Sequence, residues 1–370
     1  MSTPASPRTT KARRREGAKV DLPQRVVVLA PNWLGDVVMA LPALAAVRQW
    51  FGDAHLAVAA RAAVAPLLSM VQGIDEAIVL TGRGDWRDAG GRRADAAQLA
   101  AGHFDLALLL PNSFHAAWLA RQAGVPERWA YRADLRTMLL TRAVPRPHAP
   151  GTQAGYYLAL VRSLGGPDAP LAACLHVADT QRDAASTLLR ANGWTGGPLV
   201  GFAPGAAFGP AKRWPPDRVA TVAHRLAADR GATPVFVGAQ GDLDTIAEVL
   251  TRYRALAGAG AEAIDLGGRT DLLALAGVLT FCDAVVSNDS GAMHVAAAVG
   301  VPVTAIFGPT DEHATAPLPH PSGRTATIVV GQARCRPCLL RLCPIDHRCM
   351  TSIDPARVVE VVVKQREKEE

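Results

Sequence analysis

Three stretches of this chain place reactive side chains where loops leave β-branched runs. In "VVVLAPNWLGDVVMALPALAAV" (26–47), a Val-rich run leads through a short turn to Gly35-Asp36 and an apolar-periodic stretch. A strand–turn–helix unit of this type can seat a phosphate on free backbone amides at the positive end of the helix. Asp36 would repel one. Its carboxylate can instead accept a proton from a hydroxyl nucleophile, or it can simply cap the helix.

The second stretch, "GFAPGAAFGPAKRWP" (201–215), is a small-residue loop ending in Lys212-Arg213. Gly205 and Ala206 allow a ligand close to the main chain, and Lys212 can neutralise a phosphate as a point charge. An ordinary long surface loop is the competing reading. The third stretch is "CDAVVSNDSGAMHVAAAVGVPVTAIFGPTD" (282–311). A strand ends at Ser287, Asn288-Asp289 cap, and a small-residue helix runs from Ser290 to the Gly300-Pro302 stop. Free amides at Ser290 and Gly291 suit a pyrophosphate. His294, four residues past Ser290, shares that helix face. Against this, Asp289 can be only a cap and His294 only structural. "GDLD" (241–244) contains the D-x-D that holds a metal in some sugar transferases, but it opens a helix and reads first as a cap. Gln240 or Asp242 can also reach a ribose hydroxyl. Diphosphate binding therefore has a home in the second half of the chain, and Asp36 in the first half is left free to act as a base.

Other chemistries lack their signatures. No G-x-G-x-x-G follows a strand, which disfavours a nicotinamide dehydrogenase, and neither a G-x-S-x-G nor a Walker A pattern occurs. Four of the six cysteines crowd into "CRPCLLRLCPIDHRCM" as Cys335, Cys338, Cys343 and Cys349, with His347 among them. The spacing allows a structural, tetrahedral zinc site, although zinc modules usually separate two CxxC pairs by a longer loop. Reduced structural thiols are the alternative. Cys174 and Cys282 lie in strand-like runs and read as buried thiols.

These loops need strands and helices to hold them. The expected strands in the first half are Val26–Leu29, His55–Ala59, Glu76–Leu80 and Leu106–Leu110. Helical stretches lie between them at Val37–Trp50, Ala62–Met70 and Ala94–Ala101, with others from Ser113 and over 151–165. The alternation restarts with strands at Leu199–Ala203, Thr233–Val237, Ala263–Leu266, Ala284–Ser287 and Val303–Phe307 and helices between them. Such alternation makes parallel sheets covered by helices, here two Rossmann-like domains facing a cleft. At 370 residues and 49% hydrophobic, the chain has enough apolar material for two cores. The expected division is a disordered basic arm (1–24), an N-terminal domain (25–180), a C-terminal domain containing the cysteine cluster (181–353) and a final helix with a charged tail (354–370).

The net charge of +6 does not indicate a nucleic-acid binder. Nearly all of it sits in residues 1–25, where seven Lys/Arg face only Glu16 and Asp21. The body carries no basic stripe interleaved with aromatics. The arm has no apolar segment of a secretory signal, but its charge suits anionic lipid headgroups. No apolar run approaches the roughly 18 residues of a membrane-spanning helix.

The stretches "PNWLGDVVMALPAL", "LLLPNSFHAAWLARQAGVPERWAYRADLRTMLLT", "PGAAFGPAKRWP" and "SNDSGAMHVAAAVGVPVTAIFGPTD", in that order, resemble the bacterial heptosyltransferases of glycosyltransferase family 9. The "LPNSF" and "PGAAFGPAKRWP" stretches point to the second inner-core type rather than the first. The resemblance implies a two-Rossmann, B-type glycosyltransferase fold with the acceptor on the N-terminal domain and the donor on the C-terminal one. It implies ADP-L-glycero-β-D-manno-heptose as donor and the first heptose on Kdo-lipid A as acceptor, with inversion and no catalytic metal or cofactor. It also implies a cytoplasmic enzyme working at the inner-membrane surface, with no nucleic-acid partner. Asp36 matches the family's candidate base. Lys212, Asp289, Ser290, Gly291 and His294 match donor positions, beside Gly205, Ala206, Gln240 and Asp242 from the loop reading. Asn32, Trp33, Asn112 and Ser113 are the acceptor-side candidates. Type I members carry hydroxyl residues where Ala206-Ala207 stand here, so those side-chain contacts do not transfer. Rival readings are a transferase that adds a first or third heptose, and a non-catalytic nucleotide-sugar binder.

Overall fold

The computed structural model describes residues 23–84, 87–148, 151–258 and 261–367. The basic arm expected over 1–24 therefore falls almost wholly outside the described residues.

Short β-branched runs with no polar alternation make strands covered on both faces, and two parallel sheets result. The first contains β1 (Arg25–Leu29), β2 (His55–Arg61), β3 (Glu76–Leu80), β4 (Leu106–Leu109), β5 (Glu127–Tyr131) and β6 (Arg142–Val144), ordered β3-β2-β1-β4-β5-β6. The second contains β7 (Leu199–Ala203), β8 (Thr233–Gly238), β9 (Ile264–Gly267), β10 (Ala284–Asn288), β11 (Val303–Phe307) and β12 (Thr327–Val330), ordered β12-β11-β10-β7-β8-β9. Each sheet thus starts at its centre, grows outward on one side, and returns to grow on the other. The reversal lies between β1 and β4 in the first sheet and between β7 and β10 in the second. Loops beyond the carboxyl ends of those strands flank the crevice where this topology binds ligands. They are the loops carrying Asp36, Asn112, Lys212 and Asp289.

Around the first sheet lie α1 (Leu34–Met39), α2 (Leu41–Trp50), α3 (Ala89–Ala101), α4 (Phe114–Gln122) and α5 (Gln153–Ser163). Around the second lie α6 (Asp179–Ala191), α7 (Pro216–Arg230), α8 (Leu243–Ala257), α9 (Leu272–Leu279), α10 (Gly291–Ala298), two single turns, α11 (Glu312–Thr315) and α12 (Arg348–Thr351), and α13 (Pro355–Glu367). The two halves share buried surface, with α1 against α10. The crossing segment 173–176 is tied to both: Leu175 N–H donates to Ala298 and His176 N–H to Met70, each at 2.8 Å.

Several expected elements differ. The single helix expected over Val37–Trp50 is two, divided at Ala40, because Pro42 brings no N–H to continue the ladder. The Ala62–Met70 helix is a 3₁₀ turn over Ala65–Met70. Cys174 and Cys282 lie outside the strands. Cys282 is buried as expected, whereas Cys174 is only partly covered.

Candidate active site

On the first sheet's side, the chain leaves β1 and enters α1 after Trp33. Trp33 caps α1 without a side-chain bond. Asp36 is the third residue of the helix, so its carboxylate is not the N-cap that the sequence allowed. Instead its Oδ1 accepts a hydrogen bond from Tyr157 Oη at 3.2 Å, a partner brought from α5. Burial raises the Asp36 pKa above the ordinary carboxylate value. The Tyr157 hydrogen bond and the charge of Lys212 oppose that rise, and the charge of Asp289 adds to it. The Tyr157 phenol is itself pushed upward by burial and by Asp36, so it stays protonated as the donor.

The second sheet's side is organised by a buried ion pair. Lys212 Nζ lies 2.6 Å from Asp289 Oδ2, with 13% and 6% of the two side chains exposed. Thr310 Oγ1 donates to the same Asp289 oxygen at 2.7 Å. Asp289 therefore holds the lysine and does not cap α10, whose N-cap is Ser290. The Ser290 hydroxyl sits 3.2 Å from that of Ser287. Asn288 fastens the Lys212 loop to β10: its amide donates to Pro204 O at 2.6 Å and its Oδ1 accepts from Trp214 N–H at 3.2 Å. Lys212 also stands over the Phe208 ring, 4.9 Å from the centroid.

The two sides meet. A Cβ on Gly35 would lie 2.8 Å from the His294 ring, and one on Gly291 would lie 2.8 Å from Leu34. Glycine at both positions lets the N-terminus of α10 and the Asp36 turn touch across the halves. His294 is buried, and burial pushes its pKa down to about 4. It is neutral at pH 7.

The remaining candidates divide by accessibility. Asn32 and Trp33 are exposed beside the Asp36 turn, Trp33 at 57%. Asn112 is held between Tyr156 Oη at 2.8 Å and the Arg136 guanidinium at 3.3 Å. The Ser113 hydroxyl is occupied as the N-cap of α4, accepting from Ala116 N–H at 3.3 Å. Gly205 faces Asp242 so closely that a Cβ would come within 2.1 Å of the carboxyl carbon. Ala206 is buried. Gln240 donates to Gly268 O at 3.0 Å. Asp242 occupies the N-cap position of α8 without bonding that helix, and its carboxylate accepts from Ala239 N–H at 3.1 Å.

The four cysteines line one cavity of about 670 Å³ with Ala211 and His347. Among the described residues, however, no group of three or more His, Cys, Asp or Glu side chains is arranged to hold a metal ion, so the zinc site that the spacing allowed finds no support. The loop has a different position and use. His347 Nε2 lies 2.6 Å from Ala211 O, and Arg341 O accepts from Ala211 N–H at 3.0 Å. The cysteine loop thus buttresses the Lys212 loop.

Sequence reasoning missed Tyr157 and Thr310. Tyr157 looked like one more apolar position of an amphipathic helix, although paired tyrosines with polar hydroxyls were a visible signal. Thr310 stood in plain view within "FGPTD", with nothing to say that it folds back to Asp289.

A profile of glycosyltransferase family 9 (heptosyltransferase) matches residues 92–348. The chain belongs to that family. It is a glycosyltransferase, and the resemblance read from its motifs is borne out. It is 31% identical to lipopolysaccharide heptosyltransferase 2 of Escherichia coli K12, over 91% of this chain and 97% of that one. It is 30% identical to lipooligosaccharide heptosyltransferase 2 of Haemophilus ducreyi, over 80% and 86%. Among solved structures, that of E. coli ADP-heptose LPS heptosyltransferase II aligns with a TM-score of 0.77 at 29% identity, covering 93% of this chain and 99% of that one. The expected B-type architecture is therefore the observed one. Among the described residues, no helix is long and apolar enough to cross a membrane.

Proposed function

We propose that this heptosyltransferase moves L-glycero-D-manno-heptose from ADP-heptose to the first heptose of the lipopolysaccharide inner core, with inversion and with Asp36 as the base. The observation that carries the reading is the meeting of two unlike carboxylate sites across one crevice. Asp36 is bonded to a phenol, Asp289 is locked to Lys212, and the charges of Lys212 and Asp289 both act on Asp36.

The acceptor hydroxyl attacks the anomeric carbon as Asp36 removes its proton. The new C–O bond forms as the bond from that carbon to the diphosphate oxygen breaks, and ADP departs with the electron pair. Lys212 has three N–H donors, of which Asp289 takes one. The others, with the first amides of α10, face the charge that develops on the leaving group. Asn32, Trp33 and Asn112 are the acceptor-side groups of this scheme. Gly205, Ala206, Gln240, Asp242, Ser290, Gly291 and His294 shape the donor side. Activity at the cytoplasmic face of the inner membrane, on a lipid-linked acceptor, completes the reading.

The test is incubation with ADP-heptose and core acceptors truncated at successive sugars, with products followed by mass spectrometry. One heptose should be added to the acceptor that already ends in a heptose. Addition directly to Kdo-lipid A would make the chain a first-heptose transferase instead.

A further inference from the structure

The segment "YRADLRTMLLTRAVPR" (131–146) contains a turn with an unusual exterior. Leu135 is 87% exposed and Met138 77%, the two most exposed large apolar side chains among the described residues. Leu135 also holds φ at +56°, in the left-handed region that a branched side chain disfavours. A strained, solvent-facing leucine is not placed there by packing.

Beneath the turn, a buried arginine ties several loops together. Arg136 is wholly buried. Its guanidinium donates to Tyr131 O at 3.0 and 3.2 Å, to Pro111 O, to Ser113 O at 3.3 Å and to Asn112 Oδ1 at 3.3 Å. The turn is thus bolted to the loop after β4, at the carboxyl edge that also carries the Asp36 turn. Exposed Arg132 lies against β6 through Ala143 O at 3.3 Å, and exposed Arg146 acts electrostatically on Arg136. Asp134 is the acid on the turn itself.

We propose that this turn is the surface by which the chain rests on an anionic lipid bilayer, with Leu135 and Met138 entering the headgroup region and Arg132 and Arg146 facing lipid phosphates. Two projecting apolar tips make too little area for a stable protein interface. Apolar side chains flanked by guanidinium groups match the boundary between acyl chains and headgroups. The location has a use under the reading above, on which this proposal rests: a lipid-linked acceptor rising from the bilayer would meet Asn112 and Asp36 on the edge that the turn presses to the surface.

The experiment measures sedimentation of the full chain with vesicles of phosphatidylglycerol and phosphatidylethanolamine, and with vesicles of phosphatidylcholine alone. The anionic vesicles should be preferred. Leu135→Glu with Met138→Glu should weaken partitioning by about tenfold or more, and Arg132→Gln or Arg146→Gln by about fivefold each. Heptose transfer to a soluble, deacylated acceptor should be unchanged in the Leu135/Met138 variant. Thermal unfolding checks that the variants fold, with Leu135→Ser and Met138→Ser as replacements if the glutamates do not. A second exposed apolar segment, Leu339 to Ile345, supplies the control. The proposal is overturned if Leu342→Glu with Ile345→Glu abolishes vesicle binding while the Leu135/Met138 variant binds normally. Equal binding to neutral vesicles, or loss only on removal of residues 1–22, also overturns it. Vesicle binding through this turn by a chain that transfers no heptose would leave this proposal standing and remove the acceptor reading.

Discussion

The Asp36 turn and the Asp289 turn are built alike and used oppositely. Each follows a central parallel strand, each lies at the start of a helix, and each puts a carboxylate beside the crevice. Asp289 has Lys212 at 2.6 Å and Thr310 at 2.7 Å, so its negative charge is matched where it stands. Asp36 has one phenol at 3.2 Å, and burial lifts its pKa. Two carboxylates in one site thus acquire different work from their surroundings. In the proposed mechanism one fixes a cation for the leaving diphosphate, and the other serves as the base, its pKa lifted by burial.

Asn substitutions test that difference most severely. Asp36→Asn should lower kcat by roughly 10²–10⁴, with ADP affinity little changed. It should not destabilise the fold. A folded-state pKa above the unfolded value means that ionised Asp36 opposes folding at neutral pH, and the neutral amide relieves this. Asp289→Asn should do the reverse to stability. It leaves the buried Lys212 ammonium unmatched and should cost on the order of 3 kcal/mol. Thermal and denaturant unfolding of the two variants, beside single-turnover rates, decides the matter. Equal destabilisation by both would erase the proposed division of roles.

Tyr157→Phe sharpens the comparison from the side of the base. The phenol donates to ionised Asp36 and so lowers its pKa against the larger effect of burial. Without it, the pKa of Asp36 should rise further and the acid limb of the pH–rate profile should move to higher pH. A general base works only when deprotonated, so the loss of rate should be greatest at low pH and shrink as pH rises. A loss that is constant across pH would assign Tyr157 to substrate binding.

How far these sites were legible depended on whether their parts were local. The four central strands, β1, β4, β7 and β10, were readable because short runs dominated by Val, Leu and Ala, with no charge in their interiors, have no competing pattern. The strands β5, β6 and β12 were not. "ERWAY" and "RAV" mix charge with apolar residues, and only pairing with a neighbouring strand makes them strands. The same division holds in the site. Gly35-Asp36, Lys212 and Asp289-Ser290 announced themselves through turn chemistry within a few residues. The Asp36–Tyr157 bond joins positions 121 residues apart, and the Lys212–Asp289 pair joins positions 77 apart. No local pattern carries such pairings. The cap readings of Asp36 and Asp289 failed for a related reason: a carboxylate near a helix start has one obvious local use, and here tertiary partners displaced it.

The smallest expected effect concerns divalent ions. A sugar diphosphate needs positive charge as its bond to the anomeric carbon breaks, and transferases obtain it from a metal or from protein groups. Here Lys212 is presented by a loop that Asn288, Arg341 and His347 hold in place, and its partner Asp289 directly precedes the N-cap of α10. With the counter-charge supplied by protein, as proposed, EDTA should leave initial rates within about twofold. Asp242 folds back on its own turn, with Oδ2 accepting from the Ala239 N–H and Oδ1 3.9 Å from the Arg213 guanidinium, whose charge already opposes its own. Lys212→Ala is the sharpening variant, because it removes the fixed charge and should make the enzyme more responsive to added Mg²⁺ than the parent. If EDTA abolishes turnover of folded enzyme and Mg²⁺ or Mn²⁺ restores it, the cation beside Asp289 is not the one that stabilises the departing diphosphate.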